Sequence, residues 1–213
     1  MNFDAITDLE TLRSAASGCH NCGLRARCRG VVFGEGNPAA QLVLCGEGPG
    51  GDEDRLQRPF VGAAGQLLDR ILACCGWERF THTYILNVVK CRPPGNRTPT
   101  PEERAACFPI LQAQLRILQP KIIVLLGSTA VQTLLDENGR ITQMRGQWYQ
   151  RDGIWYMPTY HPAALLRRPE WKKPVWHDFK LVIDKYRELV DPAHESPYYP
   201  LNARAEQGAH QVP

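Results

Sequence analysis

Four short apolar runs, each ended by glycine, proline or a polar residue, alternate with helical segments along this chain. The clearest run is residues 121–127, whose Ile-Ile-Val-Leu-Leu core is typical of a strand buried on both faces. Similar runs lie at residues 41–46, 84–89 and 154–158. Strands that alternate with helices are joined by right-handed crossovers. We therefore predict an α/β fold of three layers, α/β/α, around a central, mainly parallel four-stranded sheet.

The segments between the runs carry helix signals. Residues 9–16, 63–75 and 171–190 are predicted as helices, and residues 63–75 place their leucines and isoleucine on one face. Thr100 is followed by a proline and two glutamates, which is the pattern of a capped helix start. These signals predict helices in two of the connections between strands and a last helix that closes the fold.

The chain has the length of one domain. With 213 residues it is long enough to bury a substantial core, and we assign residues 1–190 to that domain. Residues 191–213 are rich in proline and polar side chains and show no apolar period. We predict that they form a loose C-terminal tail.

Charge and apolar length limit the class of protein. The chain holds 25 Lys and Arg against 22 Asp and Glu, a net charge of +3, which neither requires nor excludes a nucleic-acid partner. No stretch approaches the apolar length of a membrane span, and the first residues lack the pattern of a signal peptide. We expect a cytoplasmic protein that acts as a monomer away from membranes.

Eight cysteines in such a protein favour metal or cluster ligation over disulfides. Cys19 and Cys22 form a CxxC pair, and Cys91 and Cys107 flank a Pro/Gly-rich loop, so the four residues could complete one tetrahedral set. Cys28 lies near enough to Cys22 to compete as a ligand. Spacing alone leaves zinc and an iron–sulfur cluster open, because thiolates suit both. The remaining cysteines are expected to be core or inert residues: Cys45, Cys74 and Cys75.

Unusual polar residues follow three of the predicted strands. Glycines and Glu47 follow the first strand, Asn87 interrupts the apolar run of the second, and His161 follows the fourth. In open α/β sheets, ligands bind at the carboxyl ends of the strands. We therefore expect residues 46–50, Asn87 and His161 to converge on one crevice, and a buried Asn87 amide to require a hydrogen-bond partner there.

Five motifs stand in order along the chain. They are Cys19-x2-Cys22, Gly46-Glu47-Gly48-Pro49-Gly50-Gly51-Asp52-Glu53-Asp54, Arg58-Pro59-Phe60-Val61-Gly62, Asn87-Val88-Val89-Lys90-Cys91-Arg92-Pro93-Pro94-Gly95-Asn96-Arg97 and His161-Pro162-Ala163-Ala164-Leu165-Leu166-Arg167. Together they resemble the family-4, iron–sulfur uracil-DNA glycosylases, and the match runs from about residue 19 to residue 190. The resemblance implies a uracil-DNA glycosylase-like fold. It also implies a structural [4Fe-4S] cluster on Cys19, Cys22, Cys91 and Cys107, which leaves Cys28 out.

The resemblance also implies a reaction, in which uracil is flipped out of DNA and its glycosidic bond is hydrolysed. Phe60 would stack on the base, Asn87 would pair with its O4 and N3–H, and His161 would stabilise negative charge on its O2. Glu47 is our first candidate to orient the attacking water, and Glu53 is the second. Related glycosylases often carry aspartate at the position of Gly48. Here Gly48 is expected to offer close backbone approach and an exposed N–H to the base, and Gly46 is a further candidate for base contact.

Basic and apolar residues near these motifs are candidates for DNA contact. Arg97 and Arg167 would neutralise phosphates, and Leu165, Leu166 and Arg167 would form a wedge that fills the gap left by the flipped base. Further candidates are Arg92, Arg168, Lys172 and Lys173. The expected partner is uracil-containing DNA, single- or double-stranded; a protein partner such as a sliding clamp leaves no signal in the sequence.

Two other functions are alternatives to the glycosylase. A covalent uracil-DNA-binding relative carries a basic, histidine-bearing insert after the second strand, whereas residues 93–98 here are short and contain no histidine. A non-catalytic DNA-binding module with zinc or a cluster would leave Glu47, Asn87 and His161 without a shared task. The monofunctional glycosylase is therefore the leading interpretation.

Overall fold

The centre of the protein is a six-stranded sheet, seen in a computed structural model that describes residues 3–201. In chain order its strands are β1 (Glu35–Gly36), β2 (Leu42–Gly46), β3 (Thr83–Asn87), β4 (Ile122–Leu126), β5 (Tyr149–Arg151) and β6 (Ile154–Thr159). Their order across the sheet is β1-β3-β2-β4-β6-β5. The pairs β2–β3, β2–β4 and β4–β6 are parallel, so the carboxyl ends of four strands meet at one edge.

The four predicted strands are confirmed as β2, β3, β4 and β6. Two further strands, β1 and β5, lie at the sheet edges and pair in the antiparallel sense with β3 and β6. They are two and three residues long. Segments this short show no readable period, and their pairing with a longer neighbour creates them. The predicted count of four therefore describes the parallel centre of the sheet and not its edges.

The helices cover both faces of the sheet. In chain order they are α1 (Leu9–Ser17), α2 (Gly51–Leu56), α3 (Ala63–Cys74), α4 (Pro101–Leu118), α5 (Ser128–Leu134), α6 (Ile141–Met144), α7 (Pro162–Arg167) and α8 (Lys172–Leu189). The predicted start of α4 is confirmed: the Thr100 hydroxyl accepts from Glu103 N, and the Glu103 carboxylate accepts from Thr100 N. Within residues 3–201, no helix combines the length and apolar character that a membrane span requires.

Alternation along β2 shows how the layers form. Leu42 and Leu44 pack in an apolar cluster with α3, α7 and α8, whereas Val43 and Cys45 pack in a second cluster with α4 and α5. Successive side chains of a strand point to opposite faces, so each face of the sheet receives its own helical layer. The predicted three-layer architecture is confirmed.

The segment after α8 differs from its prediction. Residues 191–201 pack on the domain: His194 Nε2 lies 2.8 Å from the Cys75 carbonyl oxygen, and Tyr199 is only 6% exposed. The prediction of a loose tail from residue 191 is wrong for this stretch, because isolated polar and aromatic anchors hold it without any apolar period. Residues 202–213, the rest of the predicted tail, lie outside the described residues.

Candidate active site

A crevice of about 750 Å³ opens at the carboxyl ends of the parallel strands. Its lining includes Glu47 and Gly48 after β2, Asn87 at the end of β3, Phe60, and His161 after β6. The structure thus brings together the residues that the sequence placed at this edge. We call this space the crevice.

The end of β4 contributes as well, which sequence analysis did not predict. Gly127, Ser128 and Thr129 line the crevice where β4 passes into α5. Gly127 has a φ of +93°, a backbone conformation that glycine adopts without strain. The rule that ligands bind at the carboxyl ends of parallel strands could have identified this segment, because the rule applies to every parallel strand and not only to those followed by unusual residues.

The amide of Asn87 points to a ligand in the crevice. The residue is 2% exposed, and its Oδ1 has no hydrogen-bond partner within residues 3–201. A buried acceptor left without a partner costs about 1–3 kcal/mol, so this atom favours a ligand that donates a hydrogen bond. Strand register places Asn87 beside Gly46. A Cβ at Gly46 would lie 2.5 Å from this oxygen and 2.4 Å from Phe60 Cζ, so glycine keeps the space between them open.

His161 is fixed as a neutral donor. Its Nδ1 accepts a hydrogen bond from Ala163 N at 3.1 Å, so in the neutral ring the proton belongs on Nε2. Burial, together with the smaller effect of the nearby positive charge of Arg167, lowers the pKa of His161 to about 4. The Phe60 ring stacks against the imidazole with centroids 5.4 Å apart. The crevice therefore holds an aromatic face beside an imidazole N–H donor.

The two candidate carboxylates have different surroundings. Within residues 3–201, the Glu47 carboxylate has one hydrogen-bond partner, the hydroxyl of buried Thr129, which donates to Oε2. The Glu53 carboxylate instead accepts hydrogen bonds from backbone amides. Its Oε1 accepts from Val61 N at 2.9 Å and Gly62 N at 2.8 Å, and its Oε2 accepts from Gly50 N at 3.1 Å. Both residues line the crevice, but Glu47 has more capacity to bind a water molecule.

The predicted DNA-contact residues fall into two groups. Arg97 and Arg167 line the crevice rim, and Leu166 is 45% exposed. Leu165 is 1% exposed and belongs to the apolar cluster shared with α3 and α8, so its predicted place in a wedge is wrong. Consecutive residues of a helix point in different directions, and α7 turns Leu165 inward while Leu166 faces solvent. Arg97 is held by Glu103 through hydrogen bonds of 2.6 and 2.8 Å.

The four predicted ligand cysteines lie together. Cys19, Cys22, Cys91 and Cys107 line one small cavity between the N-terminal segment, the loop after β3 and α4; we call it the cysteine cavity. Burial raises the pKa of the Cys91 thiol and raises that of Cys107 to about 11. Neighbouring sulfur atoms, Cys28 first among them, raise the pKa of Cys91 further.

Buried thiols with raised pKa values ionise only beside a compensating cation, which a metal group provides. No set of three or more Cys, His, Asp or Glu side chains within residues 3–201 is arranged to hold a single metal ion. Four thiols that line one cavity supply the donors that an iron–sulfur group requires. Cys28 contacts Cys91 without lining the cavity. Cys45 and Cys75 are buried in the apolar clusters, as predicted.

Comparison with known proteins places this geometry in a family. The profile of the uracil DNA glycosylase superfamily matches residues 33–180. A type-4 uracil-DNA glycosylase of Thermotoga maritima is 47% identical over 163 residues, which are 75% of this chain and 83% of that protein. A type-4 enzyme of Sulfurisphaera tokodaii is 43% identical over 191 residues, 85% of this chain and 84% of its own length. A type-5 enzyme of Thermus thermophilus is 34% identical over 122 residues, 51% of this chain and 55% of that protein. The resemblance seen in the motifs is confirmed: the chain belongs to the type-4 uracil-DNA glycosylases.

Proposed function

We propose that this protein repairs DNA by flipping out uracil and hydrolysing its N-glycosidic bond with water, which leaves an abasic site. The observation that carries the proposal is the Oδ1 of buried Asn87, which has no hydrogen-bond partner in the described part of the chain and stands in the crevice with Phe60 and neutral His161. The type-4 relatives bear the name of this activity.

Base recognition follows from the amide of Asn87. Its Oδ1 accepts from N3–H of uracil, and its Nδ2 donates to O4, while Phe60 stacks on the ring. Cytosine presents an acceptor at N3 and a donor at the 4-position, so both contacts would be mismatched. The base contacts compensate the few kcal/mol needed to take a base out of the helix.

Bond cleavage uses the two groups on either side of the base. As the glycosidic bond breaks, negative charge gathers on uracil O2, and the Nε2–H of His161 stabilises it. A water molecule attacks the sugar, and Glu47, held by Thr129, orients this water and offsets the positive charge that develops on the sugar. Glu53 is assigned to the loop amides that it binds and not to the water.

Contact with the DNA backbone is assigned to the crevice rim. Arg97 and Arg167 neutralise phosphates of single- or double-stranded DNA, and Leu166 enters the gap left by the flipped base. Action as a monomer in the cytoplasm remains a prediction, as does the absence of a membrane partner.

The cysteine cavity is proposed to hold a [4Fe-4S] cluster through Cys19, Cys22, Cys91 and Cys107. When bound, it supplies a cross-link between the N-terminal segment and the loop after β3, without a part in hydrolysis. Analysis of purified protein should give about four iron and four sulfide per chain. Stoichiometric zinc would contradict this assignment.

The function is tested with a labelled oligonucleotide that contains one uracil, followed by alkali to cut abasic sites. We expect strand cutting only after alkali and no protein–DNA adduct on a denaturing gel. Binding without base release would favour a non-catalytic module, and an adduct would favour the covalent relative.

Recognition is tested with Asn87→Asp. We expect slower uracil release and weaker discrimination against cytosine, because a protonated carboxyl group can donate where the amide oxygen accepts. Exposed Asn138, outside the crevice lining, gives a control with the same change of charge, Asn138→Asp. Unchanged selection in Asn87→Asp would remove this residue from recognition.

A further inference from the structure

The backbone that carries Phe60 is bound by an arginine from a distant part of the chain. Arg79, which lies between α3 and β3, donates from Nη1 to the Pro59 carbonyl oxygen at 2.9 Å. It also donates from Nη2 to the Phe60 carbonyl oxygen at 2.6 Å. Phe60 has a φ of +52°, a left-handed conformation that non-glycine residues seldom adopt. One guanidinium therefore holds two consecutive carbonyl groups at the point of strain.

Arg79 is itself held in place. Its side chain is 9% exposed, and Nη1 lies 2.9 Å from a carboxylate oxygen of Glu35 in β1. Its Nη2 lies 2.9 Å from Asp69 Oδ1, and its Nε donates to the same oxygen at 3.0 Å. The planar guanidinium is thus engaged on two sides by carboxylates and on a third by the loop, which fixes its orientation.

The backbone amides of the same loop are bound by a carboxylate. Glu53 accepts from the amides of Val61 and Gly62, directly after Phe60. Helix α3 closes the remaining side: a Cβ at Gly65 would lie 1.9 Å from the Phe60 carbonyl oxygen. With carbonyls bound by Arg79 and amides bound by Glu53, the Phe60 ring has little freedom to leave its place beside His161.

We propose that Arg79 is a positioning residue for base affinity, which acts through Phe60 by holding the ring where an extruded uracil stacks. The proposal rests on the proposed function. Arg79 lines a groove on the other side of the loop and is absent from the crevice lining, so it has no direct contact with the base. Its effect on uracil must therefore disappear when the Phe60 ring is absent.

The test measures binding of labelled free uracil by equilibrium dialysis, which needs no turnover, beside uracil release from DNA. The variants are Arg79→Met, Arg79→Lys, Phe60→Ala and the double variant Arg79→Met/Phe60→Ala. Lysine keeps the charge beside Glu35 and Asp69 but cannot span both carbonyls, so it remains informative if methionine prevents folding. Arg58→Met is the control, since Arg58 pairs with the same Glu35 and is 51% exposed.

We expect Arg79→Met and Arg79→Lys to weaken uracil binding about tenfold, as loss of one base–aromatic stack would. Arg58→Met should stay within about twofold of wild type. In the Phe60→Ala background, Arg79→Met should have no further effect on uracil binding, although it lowers the thermal midpoint in both backgrounds.

If Arg79→Met weakened uracil binding equally with and without the Phe60 ring, the proposal would be overturned and Arg79 would be a structural residue only. Unchanged binding in both Arg79 variants would also overturn it, while wild-type release of uracil would leave the proposed function intact. Wild-type protein that neither binds nor releases uracil would overturn both.

Discussion

The crevice and the cysteine cavity lie at opposite ends of the segment 87–91, and they are held in different ways. In the crevice, other parts of the chain hold the two candidate catalytic groups: Thr129 binds Glu47, and Ala163 N binds the His161 ring. In the cysteine cavity, the one main-chain hydrogen bond to a ligand sulfur within the described residues comes from Lys90 N to Cys107, at 3.3 Å. From this comparison we expect the crevice to keep its arrangement without any bound group, and the cysteines to gain stability from one.

Lys90 joins the two regions. Its side chain is fully buried, and its Nζ donates to the Asn87 carbonyl oxygen at 2.6 Å. Burial lowers the pKa of Lys90 to about 8, while the Cys107 and Cys45 sulfurs act in the opposite direction. Lys90 therefore binds the Asn87 backbone through its side chain and the Cys107 sulfur through its own backbone amide.

The largest effect is expected when the two crevice carboxylates are changed one at a time. We expect Glu47→Gln to lower kcat about 10³-fold, because an amide cannot accept a proton or offset positive charge on the sugar. Affinity for a non-cleavable substrate analogue should be nearly unchanged. Single-turnover kinetics and binding to that analogue would measure the two effects.

Glu53→Gln serves as the matched variant. We expect it to lower the thermal midpoint, since one amide oxygen must replace a carboxylate that accepts from three backbone amides. Full activity in Glu47→Gln, together with inactive but folded Glu53→Gln, would transfer the water to Glu53.

The crevice illustrates what the sequence could and could not predict. Asn87 and His161 were placed correctly because apolar runs define parallel strands, and the ends of parallel strands meet. The partners of these groups were not predictable, since Thr129 and Glu47 are 82 residues apart and Thr129 sits in an unremarkable helix start. Local pattern carries no information on such pairs. The same limit explains Leu165, whose direction depends on how one short helix, α7, docks on α3.

A second test of the comparison removes one ligand from the cysteine cavity. We expect Cys107→Ser to lose bound iron and to lower the thermal midpoint by roughly 10 °C, because a structural metal group couples to folding. Uracil release per folded molecule should remain within about tenfold of wild type, since the crevice makes its own hydrogen bonds. Iron analysis, thermal unfolding and active-site titration would give the three quantities.

Cys74→Ser is the control for this change, because Cys74 is a partly buried cysteine outside the cysteine cavity. It should retain iron and nearly the wild-type midpoint. If folded Cys107→Ser instead lost uracil release by more than 100-fold, Lys90 would be transmitting the state of the cysteines to Asn87. The two regions would then no longer be separable.

The smallest expected effect concerns pH and the His161 ring. Its pKa is lowered from an ordinary value of 6.5 to about 4, so the imidazole stays neutral across the range from pH 5 to 8. Rates that depend on the Nε2–H donor should therefore show no break near pH 6.5. An NMR titration of the His161 ring, checked against His161→Gln for assignment, would measure the pKa directly.

The lowered pKa of His161 also predicts how the stability of the fold changes with pH. The unfolded chain binds a proton at His161 near pH 6.5, whereas the folded chain resists it until about pH 4. The contribution of this neutral ring to stability is therefore complete above pH 6.5 and declines as the pH falls to 4. The thermal midpoint of wild type minus that of His161→Gln should therefore become smaller as the pH falls from 6.5 to 4. A difference that grew on acidification would mean that His161 is charged in the crevice, and stabilisation of O2 would then come from an imidazolium.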